Sequence, residues 1–308
     1  MRQIFLHIFL CYVLMLICST ELQAQQITLG FYNVENLFDT INDPGVDDGD
    51  FTPMGSKRWT QLRYRSKIKM IGRIISSMEC DIIGVCEVEK QSVVEDIAKE
   101  CGYDFVHIDS RDSRGMDQAL LFRPECFEID KFSLTGELKR EFLLVEGRVG
   151  KLPLVVLVVH LPSKISHRRV SERAALELKR VIDSLSVAYR SHLVVMGDFN
   201  LEPNDKIFKK ILQNDNLLFN PFAPLANIGK GSIVWHNRLK MFDQIMVSHT
   251  LLKTFGYKAE IFAPSGLFEQ SGERKGYPRR TFVGDDYAGG ASDHLPVRLI
   301  LNQSFHSQ

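Results

Sequence analysis

Residues able to do chemistry stand where apolar runs stop. Asn33 closes the run Ile27–Asn33, Glu87 closes Asp81–Glu87, His160 closes Leu152–His160, and Asp198 closes His192–Asp198, with Asn200 two residues on. Asp243 starts a later run ending at Val247, and the pair Asp293-His294 precedes the last one. A carboxylate or histidine in such a place is, taken alone, an ordinary helix cap or turn residue. The repetition carries the signal, because residues at the same end of neighbouring strands converge, and sites are built there. Glu and Asp offer hard oxygen ligands of the kind magnesium, manganese or calcium takes, and magnesium commonly works through one or two carboxylates plus a phosphate. No His-rich or Cys-rich cluster and no Cys-x-x-Cys points to zinc. Asn and His donate to phosphate oxygens, and Asp beside His can orient an imidazole and stabilise its charged form. Together these are parts for hydrolysing a phosphate ester: a metal to neutralise developing charge, a base to prepare water, and neutral donors to hold the oxygens.

The elements that must position these residues alternate. Leu62–Met78 carries Ile68, Ile71, Ile74, Ile75 and Met78 at helical spacing, and Val93–Cys101 reads as a short helix. Val170–Leu185 is an amphipathic helix with Val170, Ala174, Leu178, Val181 and Leu185 on its apolar face, and Asp205–Leu212 a further short one. Phe105–Ile108 and Gln118–Phe122 read as strands around the turn Ser110–Gly115, and Pro296–Leu301 as the last strand. Asp43–Gly55 and residues 263–292 are rich in Gly, Pro and charge and read as loops. No linker divides the chain, and the alternation predicts an α/β fold with helices on the outer faces of strands.

Residues 1–24 read as an export signal: Arg2, an apolar stretch of about 15 residues from Ile4 to Cys18, and a polar end at Leu22-Gln-Ala24. The stretch is shorter than the roughly 20 residues of a spanning helix. Cleavage is expected after Ala24, which leaves one domain, residues 25–308. An uncleaved anchor is the alternative. The expected destination is the periplasm or the medium of a bacterium, with no stable membrane insertion and a monomeric state. The 38 basic residues equal the 38 acidic ones, and loss of Arg2 and Glu21 keeps the balance at zero. Cys80, Cys86, Cys101 and Cys126 remain, with three possible pairings open in an oxidising compartment. Cys86 lies in an apolar run and reads as a small buried hydrophobe.

The segments Phe31-Tyr-Asn-Val-Glu-Asn-Leu37, Val85-Cys-Glu-Val-Glu89, His160-Leu-Pro162, Gly197-Asp-Phe-Asn200, Phe242-Asp-Gln-Ile245 and Ser292-Asp-His-Leu-Pro-Val297 occur in this order along nearly the whole mature chain. The chain resembles the endonuclease/exonuclease/phosphatase superfamily, whose fold is DNase I-like. The resemblance implies a four-layer α/β sandwich, two mixed β-sheets face to face with helices outside, and a metal-dependent phosphoesterase typically using magnesium. It implies Glu87 as metal ligand, and Asn33 as a residue arranging metal and phosphate. Glu35 stands where some relatives carry an acidic residue near the metal. His160 matches a histidine that contacts the scissile phosphate, Asp198 an aspartate that positions or activates water, and Asn200 an asparagine that supports the transition state. Asp243 matches a further catalytic aspartate. His294 matches a phosphate ligand or general base, and Asp293 a residue near a metal. DNA-repair relatives carry a phosphate-contacting tyrosine that has no clear equivalent in Asp109–Gly115, where Arg111 or Arg114 could donate instead.

The family mark leaves the ester open. Basic residues cluster at Arg63, Arg65, Lys67, Lys69 and Arg73, at His167, Arg168, Arg169 and Arg173, and at Arg274, Lys275, Arg279 and Arg280. The helix cluster reads as a solvated face. The other two could flank an anionic substrate, with Arg168 as a contact. The acidic stretch Asp43–Asp50 would repel DNA or could bind calcium, although it lacks EF-hand spacing. A phosphodiesterase or nuclease is the first expectation, with nucleic acid or nucleotide as substrate. Phosphomonoesterase action on a sugar or inositol phosphate comes second. A sphingomyelinase-like activity would want an exposed apolar hairpin, and Phe219-Asn-Pro-Phe222 is the nearest approach. A catalytically silent binder is disfavoured because Glu87, His160, Asp198, Asn200, Asp293 and His294 are all present.

Overall fold

A computed structural model describes residues 26–136, 141–163, 167–188, 192–213 and 217–303; the expected export signal lies outside them. In chain order the strands are β1 (Gln26–Leu37), β2 (Ile82–Val88), β3 (Asp104–His107), β4 (Asp117–Phe122), β5 (Glu128–Thr135), β6 (Phe142–Val149), β7 (Leu152–His160) and β8 (His192–Asp198). They continue as β9 (Leu218–Phe219), β10 (Ile233–Trp235), β11 (Arg238–Lys240), β12 (Asp243–Ser248), β13 (Phe255–Ile261), β14 (Phe282–Val283), β15 (Asp286–Tyr287) and β16 (Val297–Gln303). Three long helices are α1 (Gln61–Met78), α2 (Gln91–Cys101) and α3 (Arg168–Ala188).

Two six-stranded sheets form, in the orders β13-β16-β1-β2-β4-β3 and β5-β6-β7-β8-β12-β9. Each is mixed. One central pair runs parallel, β1 with β2 and β7 with β8, and the flanking pairs are antiparallel. The sheets pack face to face and helices cover the outer faces, α1 and α2 on one sheet and α3 on the other. This is the α/β sandwich expected.

Strand periodicity explains the layering. Ile27, Leu29 and Phe31 point into the core between the sheets, while Tyr32 and Val34 face the helices. Leu154, Val156 and Val158 face inward, and Val155, Leu157 and Val159 face α3. Strands buried on both faces read as continuous apolar runs, which is why these were visible in the sequence. In α3, Ala174, Leu178, Val181 and Leu185 are buried, but Val170, in the first turn, is 45% exposed. Phe222 is fully buried in the inter-sheet core rather than presented to a surface. The 263–292 segment is not wholly loop; it holds the β14–β15 hairpin. No disulfide joins any two of Cys80, Cys86, Cys101 and Cys126. No helix among the described residues is long and apolar enough to cross a membrane.

Candidate active site

The inward-facing rows end in polar residues. Counting by twos, Ile27, Leu29 and Phe31 lead to Asn33; Leu154, Val156 and Val158 to His160; Val194 and Met196 to Asp198; and Val247 and Ile245 back to Asp243. Register completes the grouping, since Asp198 lies opposite His160 on one side and Asp243 on the other. The site is therefore the polar end of the inter-sheet core. Glu87 would face the helices by strict alternation. A register shift between Cys86 and Val88, with a left-handed φ of 64° at Glu87, turns it toward the site instead. Asn200 also has a left-handed φ, 49°, which asparagine tolerates. Gly197 is obligatory: a Cβ there would lie 2.0 Å from the Val159 carbonyl oxygen on the adjacent strand.

Asn33 ties the two sheets together. Its Nδ2 donates to Glu87 Oε1 at 2.9 Å and to Asp198 Oδ2 at 3.1 Å. Glu87 Oε2 accepts from the Asn36 amide at 2.8 Å. Asp198 Oδ1 accepts from the Asn200 amide at 2.8 Å, and Asn200 Nδ2 donates to the Leu161 carbonyl at 3.0 Å. His160 Nε2 is 3.6 Å from Glu87 Oε1 and 4.0 Å from Asp198 Oδ2. His294 Nδ1 is 2.7 Å from Asp243 Oδ2, and its Nε2 is 3.8 Å from Asp198 Oδ2 and 3.9 Å from Asp293 Oδ1. Ser232 Oγ donates to Asp243 at 2.5 Å, and Ser292 Oγ links the Asn33 carbonyl to the His294 amide.

Burial sets the protonation of this cluster. Asp198 is 2% exposed, and burial together with the charge of Asp243 raises its carboxyl to about 7. Burial opposes the charged form of His294, yet the carboxylates of Asp243, Asp198 and Asp293 raise it well above the ordinary value of 6.5. One donor group joins Glu87, His160 and Asp198, and another joins Asp198, Asp243 and His294; within each, ligand atoms lie within 4.8 Å of one another. Asp243 Oδ1 is buried without a hydrogen-bond partner. An excess of buried carboxylate oxygens, one of them orphaned, fits a hard divalent cation.

A model of the endonuclease/exonuclease/phosphatase family matches residues 28–303. The chain belongs to that family. Proteins of the family are divalent-metal-dependent phosphoester hydrolases, such as nucleases and phosphatases, and the chain is an enzyme of this class. No curated protein matched the chain in the sequence comparison. Among solved structures, an endonuclease/exonuclease/phosphatase family protein from Bacteroides thetaiotaomicron is similar at 17% identity and a TM-score of 0.63, covering 92% of this chain and all of that one. Truncated TDP2 from Caenorhabditis elegans is similar at 16% identity and a TM-score of 0.61, covering 90% and 97%. The mannosyl-6-phosphatase Bt3783 of Bacteroides thetaiotaomicron is similar at 16% identity and 0.60, covering 89% and 99%. These likenesses show the shared fold.

Within this family member the structure brings together Asn33, Glu87, His160, Asp198, Asn200, Asp243, Asp293 and His294. Other expected residues lie differently. Glu35, 5% exposed, accepts from the Thr281 amide at 2.7 Å and sits 3.4 Å from Arg280 Nε. Its carboxyl is raised to about 7 by burial and by Asp293. Arg111 is paired with Glu141 at 2.7 Å, and Arg114 with Asp112 at 2.6 Å, although Arg114 feels the charge of Glu87. Arg168 is on the exposed first turn of α3, paired with Glu172 at 3.0 Å.

One neighbour of the site was missed as such, and one was read only as part of a basic cluster. Lys67, expected on a solvated face, is fully buried; its Nζ donates to the Glu35 carbonyl, and burial lowers it to about 8. The signal was its place in the apolar stripe Tyr64, Lys67, Ile68, Ile71. Arg280 bridges Glu35 and Asp293, at 2.5 Å to the latter.

Proposed function

We propose that the protein hydrolyses a phosphate ester by in-line attack of water at the end of the inter-sheet core, with magnesium as its cation. The observation that carries this is the arrangement of Asp198 between Asn33, His160 and the Asp243–His294 pair. Glu87 is the principal cation ligand, with Asn33 and Asp293 arranging its surroundings. The cation, when bound, supplies charge neutralisation at a phosphate oxygen. Asp198 is buried, held by two donors and raised to about 7, so it is the group that accepts the proton of the attacking water. His294 is held protonated by Asp243 and directs Nε2 into the site, where it donates to a phosphate oxygen. His160 and the Asn200 side chain hold the remaining oxygens of the transition state.

A small phosphate ester is the substrate class we favour over a polynucleotide. The candidate basic contacts Arg111, Arg114, Arg168 and Arg280 are each engaged by a carboxylate. The acidic 43–50 stretch reaches the 109–115 turn, through the Asp47 amide and the Ser113 carbonyl at 2.9 Å. Such a surface offers little of the phosphate neutralisation on which nucleic-acid affinity rests. The mannosyl-6-phosphatase likeness agrees with a sugar phosphate on this fold. A second reading, nuclease action, is favoured by His167, Arg168, Arg169 and Arg173, which line one surface cavity at the start of α3. Incubating residues 25–308 and magnesium with plasmid DNA, single-stranded RNA, sugar phosphates and inositol phosphates separates the two. Turnover of the small esters with intact plasmid and RNA is expected; rapid nicking of plasmid would make the nuclease reading correct.

A further inference from the structure

A second group of carboxylates gathers where the loop after β1 crosses the end of β2. Ligand oxygens of Asp43, Asp48 and Glu89 lie within 4.8 Å of one another. Asp48 is 1% exposed and Glu89 4%. Each has one oxygen satisfied by the backbone: Asp48 Oδ2 accepts from the Asp43 amide at 3.0 Å, and Glu89 Oε2 from the Asp39 amide at 2.7 Å. The other oxygen of each, Asp48 Oδ1 and Glu89 Oε1, is buried without a hydrogen-bond partner.

Lys90 is the cation already in this neighbourhood. Its Nζ is 2.8 Å from Asp39, contacts Asp43, and is 3.5 Å from Glu89 Oε1. One ammonium thus serves Asp39, Asp43 and Glu89 at once, and Asp48 has no ion pair with it. A buried carboxylate oxygen facing other carboxylates, with no donor, is a costly arrangement unless a positive charge shares the space. The donors are all oxygens from two separate loops of irregular backbone. Calcium, which accepts six to eight oxygens in flexible geometry, suits such a set better than magnesium, which demands a near-octahedral shell.

We propose that Asp43, Asp48 and Glu89 form a calcium site separate from the catalytic cluster. Glu89 follows Glu87 by two residues, and Asp47 is bonded to the 109–115 turn. The ion would fasten the 39–51 loop, and through Asp47 the 109–115 turn, to the end of β2. This site does not depend on the catalytic reading.

The test is calorimetric titration of calcium into EDTA-stripped residues 25–308, which hold both complete sheets. The variants are Glu87→Gln, Asp48→Asn and Asp43→Asn. Glu87→Gln removes the catalytic ligand and is expected to keep a calcium-binding event. Asp48→Asn is expected to weaken that event at least about tenfold, since it removes one charged ligand. Should Asp48→Asn fail to fold, the half-buried Asp43 gives the same reading through Asp43→Asn. No calcium binding by Glu87→Gln at millimolar concentration would overturn the proposal. So would binding that persists unchanged in the aspartate variants; either result would leave Lys90 as the sole cation of this cluster.

Discussion

Replacing Asp243 with Asn tests the electrostatic logic of the site. Asp243 is fully buried, and its Oδ2 is 2.7 Å from His294 Nδ1. The substitution keeps the shape and a partner for Ser232, but removes the charge that holds the His294 ring protonated. Burial then acts with less opposition, leaving only Asp198 and Asp293 to raise the ring, so the imidazole holds its proton less tightly. A ring that is neutral at working pH no longer offers a charged donor to the phosphate, a loss on the order of removing one oxyanion-hole donor. That is about a hundredfold loss in kcat, or roughly 2.7 kcal/mol at the transition state. The sign follows directly: the ring regains its proton as pH falls, so the alkaline limb of the variant's profile moves to lower pH. The assay is kcat against pH from 5 to 9 on a p-nitrophenyl phosphate ester with saturating magnesium, alongside an NMR titration of the His294 ring. A variant kcat within threefold of wild type over pH 6.5–8.5, or an unmoved alkaline limb, would refute the assignment of His294 as a charged donor.

Four further outcomes are expected. Asp198→Asn removes the proton acceptor and should lower kcat by about a thousandfold with folding retained, as circular dichroism would report; full activity contradicts the assignment. The same variant has a signature in metal-free stability. The folded carboxyl of Asp198 lies near 7, above the ordinary 3.8, so its contribution is present at low pH and lost as pH rises through 7. Wild type should therefore lose on the order of 4 kcal/mol between pH 4 and 8 from this group, and Asp198→Asn should flatten that slope in urea titrations. Gly197→Ala drives a Cβ to 2.0 Å from the Val159 carbonyl and should cost about 3 kcal/mol or more in the same measurement. Lys67→Met removes a buried cation placed near Glu35, Glu87 and Asp293 and should lower Tm by roughly 5 °C or more; an unchanged Tm would show that Lys67 balances nothing.

The site was legible because the strands that build it are buried on both faces. β7 and β8 have the predicted ends, Leu152–His160 and His192–Asp198, and each stops at its functional residue. β5 and β13 went unread for the opposite reason. β5 and β13 are edge strands, and Glu-Ile-Asp-Lys-Phe-Ser-Leu-Thr and Phe-Gly-Tyr-Lys-Ala-Glu-Ile face water over much of their length. Neither offers an apolar run nor a clean alternation. Period alone would turn Glu87 toward the helices; its direction depends on a bulge that no local composition announces. Arg280 was recognised as basic, but its link to Asp293 depends on Glu35 anchoring Thr281 from 246 residues away. Long-range contacts of that kind are set by tertiary packing.

The most direct test of the central claim is hydrolysis of p-nitrophenyl phosphate and bis-p-nitrophenyl phosphate by residues 25–308, with magnesium or with EDTA, for wild type and Glu87→Gln. The account predicts turnover that EDTA abolishes in wild type and that falls at least about a hundredfold in Glu87→Gln. Turnover that survives EDTA, or a Glu87→Gln variant as active as wild type, would contradict metal-dependent chemistry at this site.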